Sequence, residues 1–197
     1  MNKELDNKIN NLINDTKAEK INIKELYKGN FITLLEEDYK LPNGTIIKRE
    51  RITKNNGKEA VIIVTKTSDD KYIIVVQNRI NGIVSCEFPA GYIEEGESVI
   101  EAAKRELMEE TGYTSDDIYQ LDRYRSSLGI DGSIINIVVV NNAYKVSDQH
   151  LDESEFINYD LFTLEEVDEL INNHYIASAG NRLAYFELIS KTKEKRI

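Results

Sequence analysis

Between Gly91 and Tyr113 the chain reads GYIEEGESVIEAAKRELMEETGY, which sets Glu97, Arg105, Glu106, Glu109 and Glu110 at fixed spacing on a loop and the helix after it. Ser98 followed by Glu101 is a capping-box pattern, so the helix is predicted to start at Val99. Gly112 is the residue type favoured where a helix stops. Ile100, Ala103 and Leu107 recur at helical spacing and form the apolar stripe. Glu106 and Glu110 are four residues apart and share one face, with Glu109 their neighbour. Three like charges in one helical arc repel, and two of them sit in the last turn, where the helix dipole also disfavours anions. Such a cluster is costly unless a multivalent cation neutralises it. Hard oxygen donors in this arrangement suit magnesium, with manganese as the second choice. A solvated acidic helix face is the bland reading, but it does not require Gly91, Glu97 and Arg105 as well.

Length and charge bound the rest. A chain of 197 residues suits one domain, or one domain with an added subdomain. A formal net charge of −10 argues against a nucleic-acid binder, whose affinity comes from basic patches. The short basic runs, Lys48-Arg49 with Arg51 and the tail Lys191–Arg196, are interleaved with acids or terminal. A lone cysteine, Cys86, leaves no disulfide framework and no cysteine-rich zinc site. His150 and His174 lack partners at metal-ligand spacing. No apolar run reaches membrane-span length, and Met1–Lys20 is too charged for a signal peptide. A soluble, cytoplasmic protein with no membrane or nucleic-acid partner is expected.

Along the chain, Leu5, Ile9, Leu12 and Ile13 predict an amphipathic helix over about Lys3–Thr16. Short strand-like runs follow, Phe31–Leu35 and Thr45–Ile47, around the turn signal Leu41-Pro42-Asn43-Gly44. Ala60–Thr65 and Lys71–Gln77 read as strands flanking the turn Ser68-Asp69-Asp70, and Ile83–Phe88 leads into the acidic motif. Ile118–Arg125 and Ile134–Val140 are further strands, the second β-branched and central. A polar loop Ser147–Ser154, a strand Glu155–Phe162, a helix opened by Thr163 and Glu166, and a closing helix Gly180–Thr192 complete the pattern. Strands alternating with helices imply an α/β sandwich.

The motif fills every position of the Nudix box, and the chain resembles a Nudix hydrolase. The resemblance implies an α/β/α sandwich with a mixed sheet over residues 58–197. Residues 1–57 then form an N-terminal helix and antiparallel β subdomain, used for dimerisation and the pocket. Glu87-Phe88-Pro89-Ala90-Gly91, Gln77-Asn78-Arg79 and Leu41-Pro42-Asn43-Gly44 are similar to the ADP-ribose pyrophosphatase branch. That branch cleaves ADP-ribose to AMP and ribose 5-phosphate, as homodimers whose N-terminal segments help build the partner's adenine pocket.

By that resemblance Glu106, Glu110 and Glu155 ligate magnesium or manganese, and Ala90 lends its backbone carbonyl. Glu153 is the candidate base for the attacking water, with Glu109 as another ligand or base. Glu97 and Arg105 complete the catalytic box by holding its loop against the helix. Arg79 matches a phosphate contact, while Phe31 and Glu50 match an aromatic stack and an acid on the adenine. Glu87 and Gly129 complete the substrate-binding set. One departure stands out. The branch carries Ser-Pro-Gly and then a glutamate after the box, whereas this chain has Ser126-Ser127-Leu128-Gly129-Ile130-Asp131-Gly132-Ser133. The change falls on the terminal-ribose side and admits other ADP- or UDP-linked sugars, or a dinucleoside polyphosphate. A nucleotide-sensing module that does not cut its ligand remains the alternative outside enzymes, although such modules usually lose acids that this box retains.

Overall fold

The computed structural model describes residues 2–79, 82–153 and 155–194, with side chains through Lys191. Ser154 of the acidic loop and Lys195 and Arg196 of the basic tail lie outside the described residues. The chain divides into two compact units, Met1–Gly57 with Ser127–Ser133, and Lys58–Ser126 with Ile134–Ile197.

In the N-terminal unit, helix α1 spans Lys3–Thr16, and Asn2 caps it by accepting the Glu4 N–H at 3.0 Å. No α1 side chain is buried, and Leu5, Ile9, Leu12 and Ile13 are each about half exposed. Strands β1 (Glu19–Lys28), β2 (Ile32–Lys40) and β3 (Ile46–Lys54) form an antiparallel meander. Sequence reading did not separate β1, because bulges between Lys20 and Asn22 and between Glu25 and Tyr27 break its alternation. The β2–β3 turn closes with the Gly44 N–H on the Leu41 carbonyl at 2.9 Å and Gly44 at φ 84°. Residues Ser127–Ser133 join this unit through the Ile52 N–H on the Ile130 carbonyl, 2.9 Å, and the Lys54–Asp131 pair, 2.5 Å. A boundary drawn once near residue 57 does not foresee that return.

Glu37, only 2% exposed, ties three strands of this unit together. It accepts from Tyr39 Oη at 2.6 Å, Lys20 Nζ at 3.2 Å and Arg51 Nε and Nη2 at 3.1 and 3.0 Å. Burial by itself pushes its carboxyl up, but the bonds from Tyr39, Arg51 and Lys20 outweigh it and bring the pKa down to about 2.

The second unit is a three-layer sandwich. Its strands are β4 (Ala60–Thr67), β5 (Tyr72–Arg79), β6 (Ile83–Glu87), β7 (Ala90–Tyr92), β8 (Tyr113–Thr114), β9 (Asp117–Ser127), β10 (Asp131–Lys145) and β11 (Ile157–Phe162). Its helices are α2 (Val99–Thr111), α3 (Leu164–Asn172) and α4 (Ala179–Glu194). β10 runs parallel to β4, while β7 pairs antiparallel with β4, and β6 and β11 pair antiparallel with β5. The sheet is therefore mixed, as expected. Alternation along β4 divides the core. Val61 and Ile63 pack with Ala102, Ala103 and Leu107 of α2, whereas Ile62 and Val64 pack with Val167, Ile171 and Ala184 of α3 and α4. Burying one Leu of this kind contributes about 1.5–3 kcal/mol.

The helix starts follow the sequence. Ser98 with Glu101 and Thr163 with Glu166 form reciprocal capping boxes on α2 and α3. The buried stripe of α2 runs through Ala102, Ala103 and Leu107, with Ile100 only partly covered. Two expectations shift. The three-residue β7 carries no β-branched residue and had no signal, and β11 starts at Ile157 and not Glu155. The Glu155 N–H bonds the Asp152 carbonyl at 2.9 Å, turning the chain before the ladder begins. No described helix is long and apolar enough to cross a membrane.

Gly112 caps α2 at φ 74°, with its N–H on the Met108 carbonyl, and a Cβ there would lie 2.0 Å from the Ser147 carbonyl oxygen. Gly96 has a similar φ of 86° but open space around it. Gly112→Ala should therefore cost at least about 1–3 kcal/mol in urea unfolding, and Gly96→Ala only the backbone part of that. Equal midpoints for the two variants would contradict the contact.

Candidate active site

Arg105, in the middle of α2, organises the acids. Its Nε and Nη2 donate to both oxygens of Glu97 at 2.7 and 2.9 Å, and Nη2 also reaches the Tyr92 carbonyl at 2.9 Å. Nη1 donates to Glu106 at 2.8 Å and Glu109 at 3.0 Å. One guanidinium thus clamps the loop of the motif to its helix and gathers three of the acids. The Arg105 bonds, against a smaller opposing effect of burial, hold Glu97 at about 2. Glu97 also accepts the Glu94 N–H at 2.9 Å, which closes the loop on itself.

Glu106 and Glu110 face the short strand β7. Glu110 is 3% exposed and accepts the Ala90 N–H at 3.2 Å. Burial, then repulsion from Glu106 and Glu155, pushes its carboxyl up to about 8, against the smaller pull of the Ala90 N–H. Glu106 is raised as well, chiefly by burial and opposed by Arg105, with Glu109 and Glu155 adding repulsion. Repulsion from Glu155, in the turn before β11, adds a smaller upward push on both helix acids, while its own carboxylate accepts the Asp152 N–H at 3.3 Å. Glu153 is exposed and enters none of these interactions. Gly91 has a spatial reason to be glycine, since a Cβ there would lie 2.0 Å from the Glu106 carboxylate.

The donor set suits a hard divalent cation. Glu110 is buried and Glu106 partly so, Glu106 raises the proton affinity of Glu110, and a glycine leaves the backbone open beside them. Among the described residues no three His, Cys, Asp or Glu side chains form a ready-made metal cage.

The substrate-binding candidates divide between the units. Arg79 and Glu87 are paired with each other, Nε to Oε1 at 2.7 Å and Nη2 to Oε2 at 2.5 Å, with Arg79 half exposed and Glu87 buried. Within the N-terminal unit, Glu50 and Gly129 line a cavity of about 560 Å³ with Tyr39, Arg49, Arg51 and Leu128. Phe31, half exposed between β1 and β2, is not one of its walls, and its carbonyl accepts the Asn55 N–H at 2.7 Å.

Two residues at the second unit's site escaped sequence reading. Gln149 Nε2 donates to the Glu110 carbonyl at 2.6 Å and the Ile157 carbonyl at 3.1 Å, and the His150 N–H bonds the Glu109 carbonyl at 2.8 Å. The acidic loop is thereby stitched to the last turn of α2. Asn181, buried at the start of α4, accepts the Phe88 N–H at 2.7 Å. A lone amide in a polar loop or at a helix start carries no spacing signal, so neither was visible.

The NUDIX domain family model matches residues 57–180. The chain is 36% identical over 171 residues to the ADP-ribose pyrophosphatase of Bacillus subtilis, covering 84% of this chain and 90% of that protein. It is 34% identical over 181 residues to the methanol dehydrogenase activator of Bacillus methanolicus, covering 89% and 95% respectively. The crystal structure of an ADP compounds hydrolase aligns with a TM-score of 0.81 at 29% identity, over 91% of this chain and 96% of that one. The chain belongs to the Nudix family and is a Nudix hydrolase. Members of that family generally use divalent metal ions.

Glu110 makes stability depend on pH in a direction opposite to an ordinary ion-paired acid. Its pKa rises from 4.5 to about 8 on folding, so between these values the folded state holds more protons than the unfolded one. With metal chelated, stability should fall as pH rises from 4.5 toward 8. Glu110→Gln should flatten that slope. Melting temperatures of both proteins across this range, in chelator, test it; parallel curves would be the contrary result.

Proposed function

We propose that this Nudix hydrolase cleaves the diphosphate bridge of a nucleoside diphosphate sugar in a magnesium-dependent reaction, with ADP-ribose as leading substrate and AMP and ribose 5-phosphate as products. The reading is carried by one juxtaposition, the buried Glu110 and its helix neighbour Glu106 beside the Ala90-Gly91 backbone. The relatives that hydrolyse ADP-ribose and ADP compounds support the substrate class. The similarity to a methanol dehydrogenase activator shows a second use of a closely related chain, yet every acid of the box is retained here, which favours hydrolysis.

In this mechanism Glu106, Glu110, Glu155 and the Ala90 carbonyl hold the ion. Bound there, magnesium (or manganese) supplies charge neutralisation of the diphosphate and a more acidic water. The protein's own groups do the rest. Arg105 and Glu97 keep the motif loop fixed to α2, so the acids keep their mutual geometry. Arg79 contacts phosphate once it leaves or shares Glu87. Glu153 takes the proton of the attacking water, a contribution on the order of 100- to 10,000-fold, with Glu109 the substitute base. Phe31, Glu50 and Gly129 contact the nucleotide. We place the enzyme in the cytoplasm.

The N-terminal unit is also proposed to form a homodimer contact. Ile21, Ile23, Tyr27, Phe31, Ile32 and Ile46 are each at least two-fifths exposed on it, more apolar surface than a small β meander keeps in water. A dimeric mass by light scattering at micromolar concentration is expected, and a fully active monomer would refute the contact.

Product analysis over ADP-ribose, other ADP- and UDP-sugars and dinucleoside polyphosphates tests the reaction. AMP and ribose 5-phosphate should appear fastest from ADP-ribose with magnesium. Glu106→Gln or Glu110→Gln should lower turnover at least about 100-fold without loss of folding. In the same assay Glu155→Gln should raise the magnesium needed for half activity, and Glu153→Gln should lower turnover at saturating magnesium. Full activity of the helix variants would remove the metal assignment, and identical titrations of the loop variants would remove their division of labour.

A further inference from the structure

We propose that Asn181 is a positioning residue for the reaction: from the start of α4 it fixes the loop that delivers Ala90 to the acidic site. The inference rests on the hydrolase reading above and extends it to a residue outside the motif. The loop from Glu87 to Ala90 has few ladder bonds of its own, and each residue is anchored to a different element. The Glu87 carboxylate is held by Arg79 of β5. The Phe88 N–H is held by Asn181 Oδ1 of α4 at 2.7 Å. The Pro89 carbonyl accepts the Ile63 N–H of β4 at 2.8 Å. The Ala90 N–H reaches Glu110 of α2.

Asn181 is the one side chain among these anchors that neither the motif nor the substrate-binding set includes. It is 3% exposed, and Phe88 is fully buried, so that N–H has no route to water. The amide orientation is determined by its surroundings. Oδ1 faces the Phe88 donor, while Nδ2 faces two acceptors, Ser178 Oγ at 2.7 Å and Glu87 Oε2 at 3.5 Å. One amide therefore acts on the loop twice, on the backbone leading to Ala90 and on the carboxylate that holds Arg79. Pro89 carries no N–H with which the loop could find a replacement bond.

Asn181→Ala removes both actions, and Asn181→Asp keeps the acceptor for Phe88 while setting a like charge against Glu87. Three readouts on the intact protein test this: hydrogen exchange of the Phe88, Ala90 and Gly91 amides, Mn2+ affinity by electron paramagnetic resonance without substrate, and kcat and KM for ADP-ribose with magnesium. For Asn181→Ala, exchange at Phe88, Ala90 and Gly91 should rise while the β4 and α2 amides keep their protection. Its Mn2+ affinity and kcat should each fall about 10-fold or more, with only a small rise in KM from loss of the long bond to Glu87. Asn181→Asp should restore Phe88 protection and most of kcat, and raise KM through the disturbed Arg79–Glu87 pair. Unchanged exchange, affinity and kcat in Asn181→Ala would overturn the proposal, as would losses that track a uniform rise in exchange across the unit. Should Asn181→Ala not fold, Asn181→Asp decides: raised KM with Phe88 protected supports the role, and wild-type KM overturns it. A wild-type protein that hydrolyses nothing on the panel counts against the hydrolase reading alone, and exchange and Mn2+ affinity then judge Asn181.

Discussion

The Arg105 guanidinium is the contact on which the rest of the site depends. It meets three carboxylates and a backbone carbonyl drawn from both the motif loop and α2. The pairs are only partly exposed, so water screens them less than it screens a surface ion pair. A lysine has no planar fork with which to hold Glu97 through two parallel bonds while turning a third nitrogen toward Glu106. Without that fork the motif loop loses its tie to the helix, and the acids lose the cation that offsets their repulsion. The fold of the loop and the chemistry of the cluster are therefore one problem with one solution.

The acids themselves carry a conflict between stability and use. Glu110 is buried where a charged carboxylate is unfavourable, and Glu106 beside it makes matters worse. A protein selected for stability alone would place an apolar residue there. In a family that generally uses divalent metal ions, a bound cation reverses the sign of such an interaction, turning repulsion between acids into shared attraction.

The parts legible in the sequence were those with local, periodic causes. Capping boxes at Ser98 and Thr163 marked α2 and α3, the β-branched run Ile134–Val140 marked β10, and the box spacing marked Glu97, Arg105, Glu106 and Glu110. What stayed hidden is tertiary. β7 exists because Val61 and its neighbours offer a ladder, not because Ala-Gly-Tyr favours one. The bulges of β1 shift its apolar residues out of alternation. Glu37 reads as one of two adjacent acids, Glu36 and Glu37, yet one is exposed to the lysine at 48 and the other buried among three donors. Gln149 and Asn181 act on backbone groups far away in sequence, and no spacing rule reaches that far.

The two-sided packing of β4 limits how this chain can change length. Val61 and Ile63 belong to one core, Ile62 and Val64 to the other. Inserting or deleting a single residue in that strand exchanges the two sets at once, and both cores then receive side chains shaped for the opposite layer. Drift in length is thereby confined to turns such as Ser68-Asp69-Asp70, which lie between strands and belong to neither core. The strand that supports β7 and the acidic site is thus also the segment where an insertion or deletion in the gene does the most harm.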